Sequence, residues 1–156
     1  MPRRGRISKR KGVADPKFGS LMVQKFINKL MIKGKKATAE KIFYGAMEQV
    51  EKKISQDPMA VFEKALKNIT PFMEVKSRRV GGSTYQIPIE VTKDRGTSIA
   101  MKWLKMSARE RQGRSMAEKL AFEIMDASNG TGGAAKKRED LHKTAEANKA
   151  FAHFRW

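Results

Sequence analysis

The sequence predicts a mainly α fold: a single helical domain of about six helices, with a protruding two-stranded antiparallel β-hairpin and a basic N-terminal arm. Three observations predict it. Apolar residues recur at helical spacing through most of the 156 residues. A strict period of two appears only between Phe72 and Val91, on either side of Gly81-Gly82. The first twelve residues carry six cations and almost nothing that could nucleate a core. Residues 1–14 are therefore read as the arm and residues 15–156 as the helical domain, with the hairpin at 72–91.

The elements follow in order. Arg3, Arg4, Arg6, Lys9, Arg10 and Lys11 form the arm, with no acid before Asp15. Asp15-Pro-Lys-Phe-Gly-Ser20 reads as a turn that delivers Ser20 as a helix N-cap. Leu21, Val23, Phe26, Ile27, Leu30 and Met31 then line one helix face, and Gly34 stops that helix. A second helix runs from about Thr38 to Ile54 on the stripe Ile42, Phe43, Ala46, Met47, Val50. Asp57-Pro58 starts a third, with Val61, Phe62, Ala65, Leu66 and Ile69 inward and Pro71 ending it. Beyond the hairpin, a helix opens at Thr92 or Asp94 and reaches about Arg109, weakened slightly by Gly96. Ile99, Ala100, Trp103, Leu104 and Met106 are expected to face inward, with Lys102, Lys105 and Arg109 outward. Ser115-Met-Ala-Glu118 is a capping box for a fifth helix that Asn129-Gly130 closes. A sixth spans about Ala134 to Asn148, and the aromatic end 150–156 either packs on the body or stacks on bases.

The register of the hairpin can be argued from its faces. A two-residue Gly81-Gly82 loop sets Val75 opposite Pro88 and puts apolar groups on both faces. A three-residue loop, Gly81-Gly82-Ser83, gathers them on one face and places Arg79 opposite Tyr85. That register is the expectation, because a one-residue slip exchanges the faces.

Charge bounds the function. Lys and Arg number 34 against 16 Asp and Glu, a net charge of +18. Repulsion on that scale destabilises a compact chain unless a polyanion offsets it, so nucleic acid is the leading partner class. The cations fall on the arm, on Lys33 to Lys36, at the hairpin tip, and on the loops at 110–114 and 130–138. Several basic projections at different heights fit a folded RNA better than a duplex. No apolar run approaches membrane-spanning length, so no membrane partner is expected. With no cysteine there is no thiolate metal site. Glu139-Asp-Leu-His142 with Glu146 has carboxylate-centre spacing, but its second half is missing, and helix-surface charge is the better reading. Gly130-Thr-Gly-Gly-Ala-Ala-Lys-Lys137 lacks the Gly-Lys-Ser/Thr of a phosphate loop. It offers only a glycine-rich helix N-terminus able to hold one phosphate. An enzyme is not supported, and no cofactor is expected.

Several blocks resemble the bacterial-type small-subunit ribosomal protein S seven family. They are Pro2-Arg-Arg-Gly-Arg6, Asp15-Pro-Lys-Phe-Gly-Ser20, Glu74-Val-Lys-Ser-Arg-Arg-Val-Gly-Gly-Ser-Thr-Tyr-Gln-Ile-Pro88, Lys137-Arg-Glu-Asp-Leu-His142 and Ala145-Glu-Ala-Asn-Lys-Ala-Phe-Ala-His-Phe-Arg-Trp156. The chain departs in carrying Phe18 and Phe154 where the family commonly has tyrosine. The resemblance implies a structural constituent of the small ribosomal subunit, in the cytoplasmic ribosome. Such a protein binds 16S-type rRNA directly in the 3′ major domain and nucleates assembly of the head. It places its ribbon near the exit site for tRNA and the path of mRNA. Other head proteins and the platform protein S eleven are the implied neighbours. The family motifs carry over to Arg3, Arg4, Arg6, Arg78, Arg79, Tyr85, Arg155 and Trp156. Charge placement adds Lys9, Arg10 and Lys11 of the arm, then Lys35, Lys36, Lys76, Arg95, Lys102, Arg109, Arg111, Arg114, Lys136 and Lys137. The alternative binding reading is a DNA-compacting or messenger-binding regulator using the same surface.

Overall fold

The structure, a computed structural model, describes residues 12–154. Its order is α1 (Leu21–Leu30), α2 (Lys36–Ile54), α3 (Pro58–Ile69), β1 (Met73–Val80), β2 (Ser83–Glu90), α4 (Lys93–Glu110), α5 (Met116–Ser128) and α6 (Gly132–Ala147), ending in a 3-10 turn, Lys149–Phe154. The expected six helices and single hairpin are present, in the expected order.

The apolar stripes converge on one core. Phe26 of α1, Phe43 of α2 and Phe62 of α3 are fully buried and meet with ring centroids 5.3–5.7 Å apart. Such tilted and edge contacts add to the area these rings remove from water. Helix α5 is central, packing against α2, α3, α4 and α6. Leu120, Ala121, Ile124 and Ala127 are its buried apolar residues.

The starts and stops mostly follow local chemistry. Asp57 accepts from the Met59 N–H at 3.1 Å, with Pro58 in the first turn. Ser115 accepts from the Glu118 N–H at 3.2 Å, and the Glu118 carboxylate reaches back to the Arg114 N–H rather than to that of Ser115. Ser20 stands at the N-cap of α1, but its hydroxyl makes no capping bond. Asp15 organises that turn instead. One carboxylate oxygen accepts from the Lys17 and Phe18 N–H groups, and the other from the Tyr44 hydroxyl at 2.7 Å. Burial and this bond push the Tyr44 pKa up to about 12. Phe18 packs on Phe43 and Tyr44, a contact that needs no hydroxyl.

Other expectations are corrected. Helix α1 ends at Leu30, before Gly34, and Lys33 and Gly34 turn the chain with φ of 51° and 75°. Helix α2 begins at Lys36, not Thr38. Leu21 and Met106 were expected inward and are 49% and 37% exposed. In α4 the buried stripe is Gly96, Ala100, Met101, Leu104, Ser107 and Ala108, and Met106 lies off it.

The hairpin register also differs from expectation. Val75 pairs with Pro88, Arg78 with Tyr85, Arg79 with Thr84 and Val80 with Ser83, which leaves Gly81-Gly82 as a two-residue loop. Arg79 does not lie across from Tyr85. Both glycines have positive φ, 56° and 90°. That is the signature of a type I′ turn, whose twist matches the strands. Turn chemistry therefore overrode the sorting of faces. The ribbon accommodates apolar groups on both sides: the neighbours Ile87 and Pro88 point to opposite faces, and both are buried. The cover comes from α6 and from the 3-10 turn, which pack on the ribbon.

Gly96 fixes where that ribbon leaves the body. A Cβ there would stand 2.9 Å from Thr70 Cγ2 and 3.1 Å from the Pro71 carbonyl oxygen. Thr70 cannot easily rotate away, because its hydroxyl is bonded to the Leu66 carbonyl at 2.7 Å. Its cost in helix propensity therefore allows α4 to lie against the junction between α3 and β1. Gly96→Ala should improve helix propensity by about 1 kcal/mol yet destabilise the protein by about 1–2 kcal/mol net. Urea denaturation checks this, and an unchanged or raised midpoint would contradict the close-packing role.

Candidate nucleic-acid interface

The ribbon carries the first group of expected site residues. Because cross-strand partners share a face, Lys76, Arg78, Tyr85 and Ile87 lie on one side and Arg79 and Thr84 on the other. Tyr85 leans on Phe151 of the C-terminal turn, ring centroids 5.0 Å apart. The aromatic tail thus packs on the ribbon at Phe151. Arg79 is exposed. Nearer the base, Lys76 and Arg95 share one acid, Glu74, at 3.6 and 3.2 Å. Two cations on one carboxylate leave that edge positive.

The helices carry the second group. Lys35 is exposed, and Lys36 pairs with Glu40 one turn on, at 3.5 Å. Lys102 and Arg109 are exposed on α4. Lys105, expected outside with them, is drawn inward and donates to the Lys29 carbonyl at 2.9 Å. Lys29 in turn donates to the Ser98 hydroxyl at 2.8 Å. The seam between α1 and α4 thus gathers Lys29, Lys102, Lys105 and Arg109. None of the four makes an ion pair among the described residues. Burial, then the charges of Arg109, Lys29 and Lys102, hold the Lys105 pKa below its ordinary value. Asp94 lines the hollow beside Lys29 but pairs with none of the four among the described residues. The sequence showed the α4 stripe, but Lys29 joins it only through packing of α1 on α4.

The loops divide. Arg114 and Lys136 are exposed, while Lys137 pairs with Glu110 at 2.7 Å. Arg111 is turned inward. Its Nε donates to Glu123 at 2.6 Å, and its guanidinium also pairs with Asp126. Burial alone would lower its pKa, but its hydrogen bonds to the Asp126 and Glu123 carboxylates outweigh that and raise it. Glu123 is fully buried, and its other oxygen accepts from the Ala134 N–H at 2.8 Å. The glycine-rich N-terminus of α6 therefore already holds an anion, the Glu123 carboxylate, where a phosphate was expected. Arg3, Arg4, Arg6, Lys9, Arg10, Lys11, Arg155 and Trp156 lie outside the described residues.

The carboxylate–histidine spacing on α6 has a structural use. His142 Nε2 accepts from the Phe72 N–H at 3.2 Å, and the two rings stack with centroids 6.0 Å apart. No group of three or more potential ligands is placed to hold a metal among the described residues.

A helical body with a projecting ribbon, a shared cationic seam and exposed loop cations defines a class: a polyanion-binding protein whose two buried carboxylates, Asp15 and Glu123, are tied up in the fold. The comparisons with known proteins narrow that class. Residues 2–149 match the family model described as ribosomal protein S7p/S5e, and the chain belongs to that family. It is similar to the proteins named small ribosomal subunit protein uS7 of Dictyoglomus thermophilum, at 58% identity, and of Anaeromyxobacter sp. (strain K), at 60%. The same name is carried by a relative from Carboxydothermus hydrogenoformans, at 58% identity. Each match covers 156 residues, all of both chains.

Two predictions follow from this geometry. Arg111→Ala strands the buried Glu123 carboxylate and should cost on the order of 3 kcal/mol of stability by urea denaturation. A loss below about 0.5 kcal/mol, as for an ordinary exposed arginine, would contradict the clamp. The second concerns His142, whose pKa is lowered from 6.5 by burial and then by Arg138. Between the folded and unfolded values the unfolded chain binds more protons, so stability rises with pH there. The contribution of the neutral imidazole is fully present above about 6.5 and is lost as pH falls toward the lower folded value. Thermal unfolding of the wild type and His142→Gln over this range should show the fall in the wild type alone. Parallel curves would contradict it.

Proposed function

We propose that this protein binds the 3′ major domain of small-subunit rRNA, nucleates assembly of the head, and holds its ribbon near the tRNA exit site and the mRNA path. The coarser statement rests on family membership: the chain is a structural protein of the small ribosomal subunit and binds its RNA. It works in the cytoplasmic ribosome and is not an enzyme. The observation that supports RNA binding best is the cluster of Lys29, Lys102, Lys105 and Arg109 between α1 and α4, none of which makes an ion pair among the described residues. Such a cluster is stabilised when phosphates replace the missing counter-charges.

In this reading residues 1–14 act as an RNA-bound arm and 15–156 as the binding domain. The body grips RNA along the α1–α4 seam, with Lys35, Lys36, Arg114 and Lys136 as outlying contacts. Arg111 is left out, because its charge is neutralised inside the fold. At the ribbon, Arg78 and Arg79 reach opposite faces, so the tip can touch two strands or two molecules. Head proteins and the platform protein S eleven would be neighbours, with exit-site tRNA and mRNA passing close.

Affinity for small-subunit rRNA should fall with salt at a log–log slope of roughly −0.7 to −0.9 for each phosphate neutralised. At one salt concentration it should exceed affinity for duplex DNA of equal length; equal affinity would favour the compacting or regulatory alternative. Arg78→Ala with Arg79→Ala should leave thermal stability close to wild type and impair exit-site tRNA binding in reconstituted subunits. Destabilisation as large as that of a buried Phe62→Ala, about 3–5 kcal/mol, would contradict a ribbon tip outside the core.

A further inference from the structure

We propose that the hollow at the base of the ribbon receives one unpaired nucleotide of the bound RNA, with Phe72 as its stacking platform. The proposal rests on the RNA-binding reading above and adds a site to it. Phe72 is a large apolar residue left 77% exposed. It is nevertheless held firmly. Its N–H is bonded to His142, and its carbonyl accepts from the Val91 N–H at 2.9 Å, extending the ribbon by one rung. The His142 imidazole lies 24° from coplanar with the ring and supports it from α6. An aromatic ring fixed in place and still open to solvent loses little freedom when a base stacks on it.

Phe72 stands between two depressions. On one side is a small cleft against α6, shared with Met73, His142 and Ala145. On the other is a hollow of about 930 Å³, walled by Met22, Leu66, Pro71 and Val91. Its volume is at the upper end for a small-molecule site and suffices for a nucleotide. Lys64, Lys67 and Lys93 also line it, against one acid, Glu63. All three lysines are exposed, and none makes an ion pair among the described residues. Apolar walls beside unpaired cations match a base flanked by phosphates.

Continuity favours RNA over an acidic peptide. Met22, Lys93 and Thr97 also line the neighbouring hollow between α1 and α4, together with Lys25, Lys29 and a single acid, Asp94. Lys29 belongs to the cationic seam. A single track therefore leads from the seam to Phe72 with cations along its length. A polymer with a phosphate at every residue fits that spacing of charge, while a folded acidic partner would need carboxylates at each step.

The test measures binding of the full chain to small-subunit rRNA at fixed salt. Phe72→Ala should weaken binding about ten- to hundredfold, and Phe72→Trp should restore it. The log–log salt slope should stay at the wild-type value in both, because stacking releases no counterions. Phe72→Leu keeps an apolar side chain without a flat face, and should bind as weakly as Phe72→Ala. Ultraviolet crosslinking should join Phe72 to a single nucleotide. Wild-type affinity in Phe72→Ala, or in Phe72→Leu alone, overturns the stacking site while leaving the RNA-binding reading intact. So does the absence of any crosslink from Phe72 to the RNA. If the wild type itself prefers small-subunit rRNA no more than unrelated RNA, both readings fall.

Discussion

The scarcity of negative charge shapes this protein. With 16 carboxylates against 34 Lys and Arg side chains, any acid placed inside the fold leaves cations outside uncompensated. Several acids are committed to local structure, and two of them, Asp15 and Glu123, are buried. Asp15 closes the turn before α1 and holds Tyr44, Asp57 caps α3, and Glu118 supports the start of α5. Glu123 and Asp126 take Arg111, and Glu123 also caps α6 from a neighbouring helix. The seam between α1 and α4 has one acid on its rim, Asp94, which makes no ion pair with Lys29, Lys102, Lys105 or Arg109 among the described residues. The same allocation that ties the helices together therefore concentrates positive potential where the helices meet. Folding and polyanion binding are two consequences of one distribution.

Within that frame the ribbon depends on its neighbours. A two-stranded hairpin is marginal alone in water. This one is held at its base by Glu74 to Arg95, by the close approach of α4 at Gly96, and by His142 of α6. The C-terminal turn covers the Tyr85 face through Phe151. These supports come from α4, α6 and the tail, all later in the chain than the hairpin itself. The position of the tip therefore depends on α6 and the C-terminal turn as well as on the strands themselves.

Much of the fold was legible in the sequence because local chemistry decided it. The Asp57-Pro58 start, the Ser115 capping box and the stripes holding Phe26, Phe43 and Phe62 each needed only a few neighbouring residues. Failures came where two local rules competed or where distance mattered. At Gly81-Gly82, turn preference beat the sorting of faces, since cover from α6 and the tail made a two-sided ribbon tolerable. Gly96 looked like a weakness in α4 until Thr70 and Pro71 were brought beside it. For the site, exposed cations such as Arg79, Lys102 and Arg109 were readable from charge and period. Arg111 was not, because its partners lie 12 and 15 residues on and face it only after α5 folds back. Lys29 and the open ring of Phe72 were missed for the same reason. Nothing in a linear reading joins residue 29 to residue 105, or 72 to 142.

The central claim is that the uncompensated seam and the loop cations form one surface for small-subunit RNA. Hydroxyl-radical footprinting of the full chain on full-length small-subunit rRNA tests it most directly. The account predicts a compact set of protected nucleotides confined to the 3′ major domain, with protection lost when Lys29, Lys102 and Arg109 are replaced together by glutamine. Protection scattered along the molecule, or no stronger than on an unrelated RNA of equal length, would contradict it.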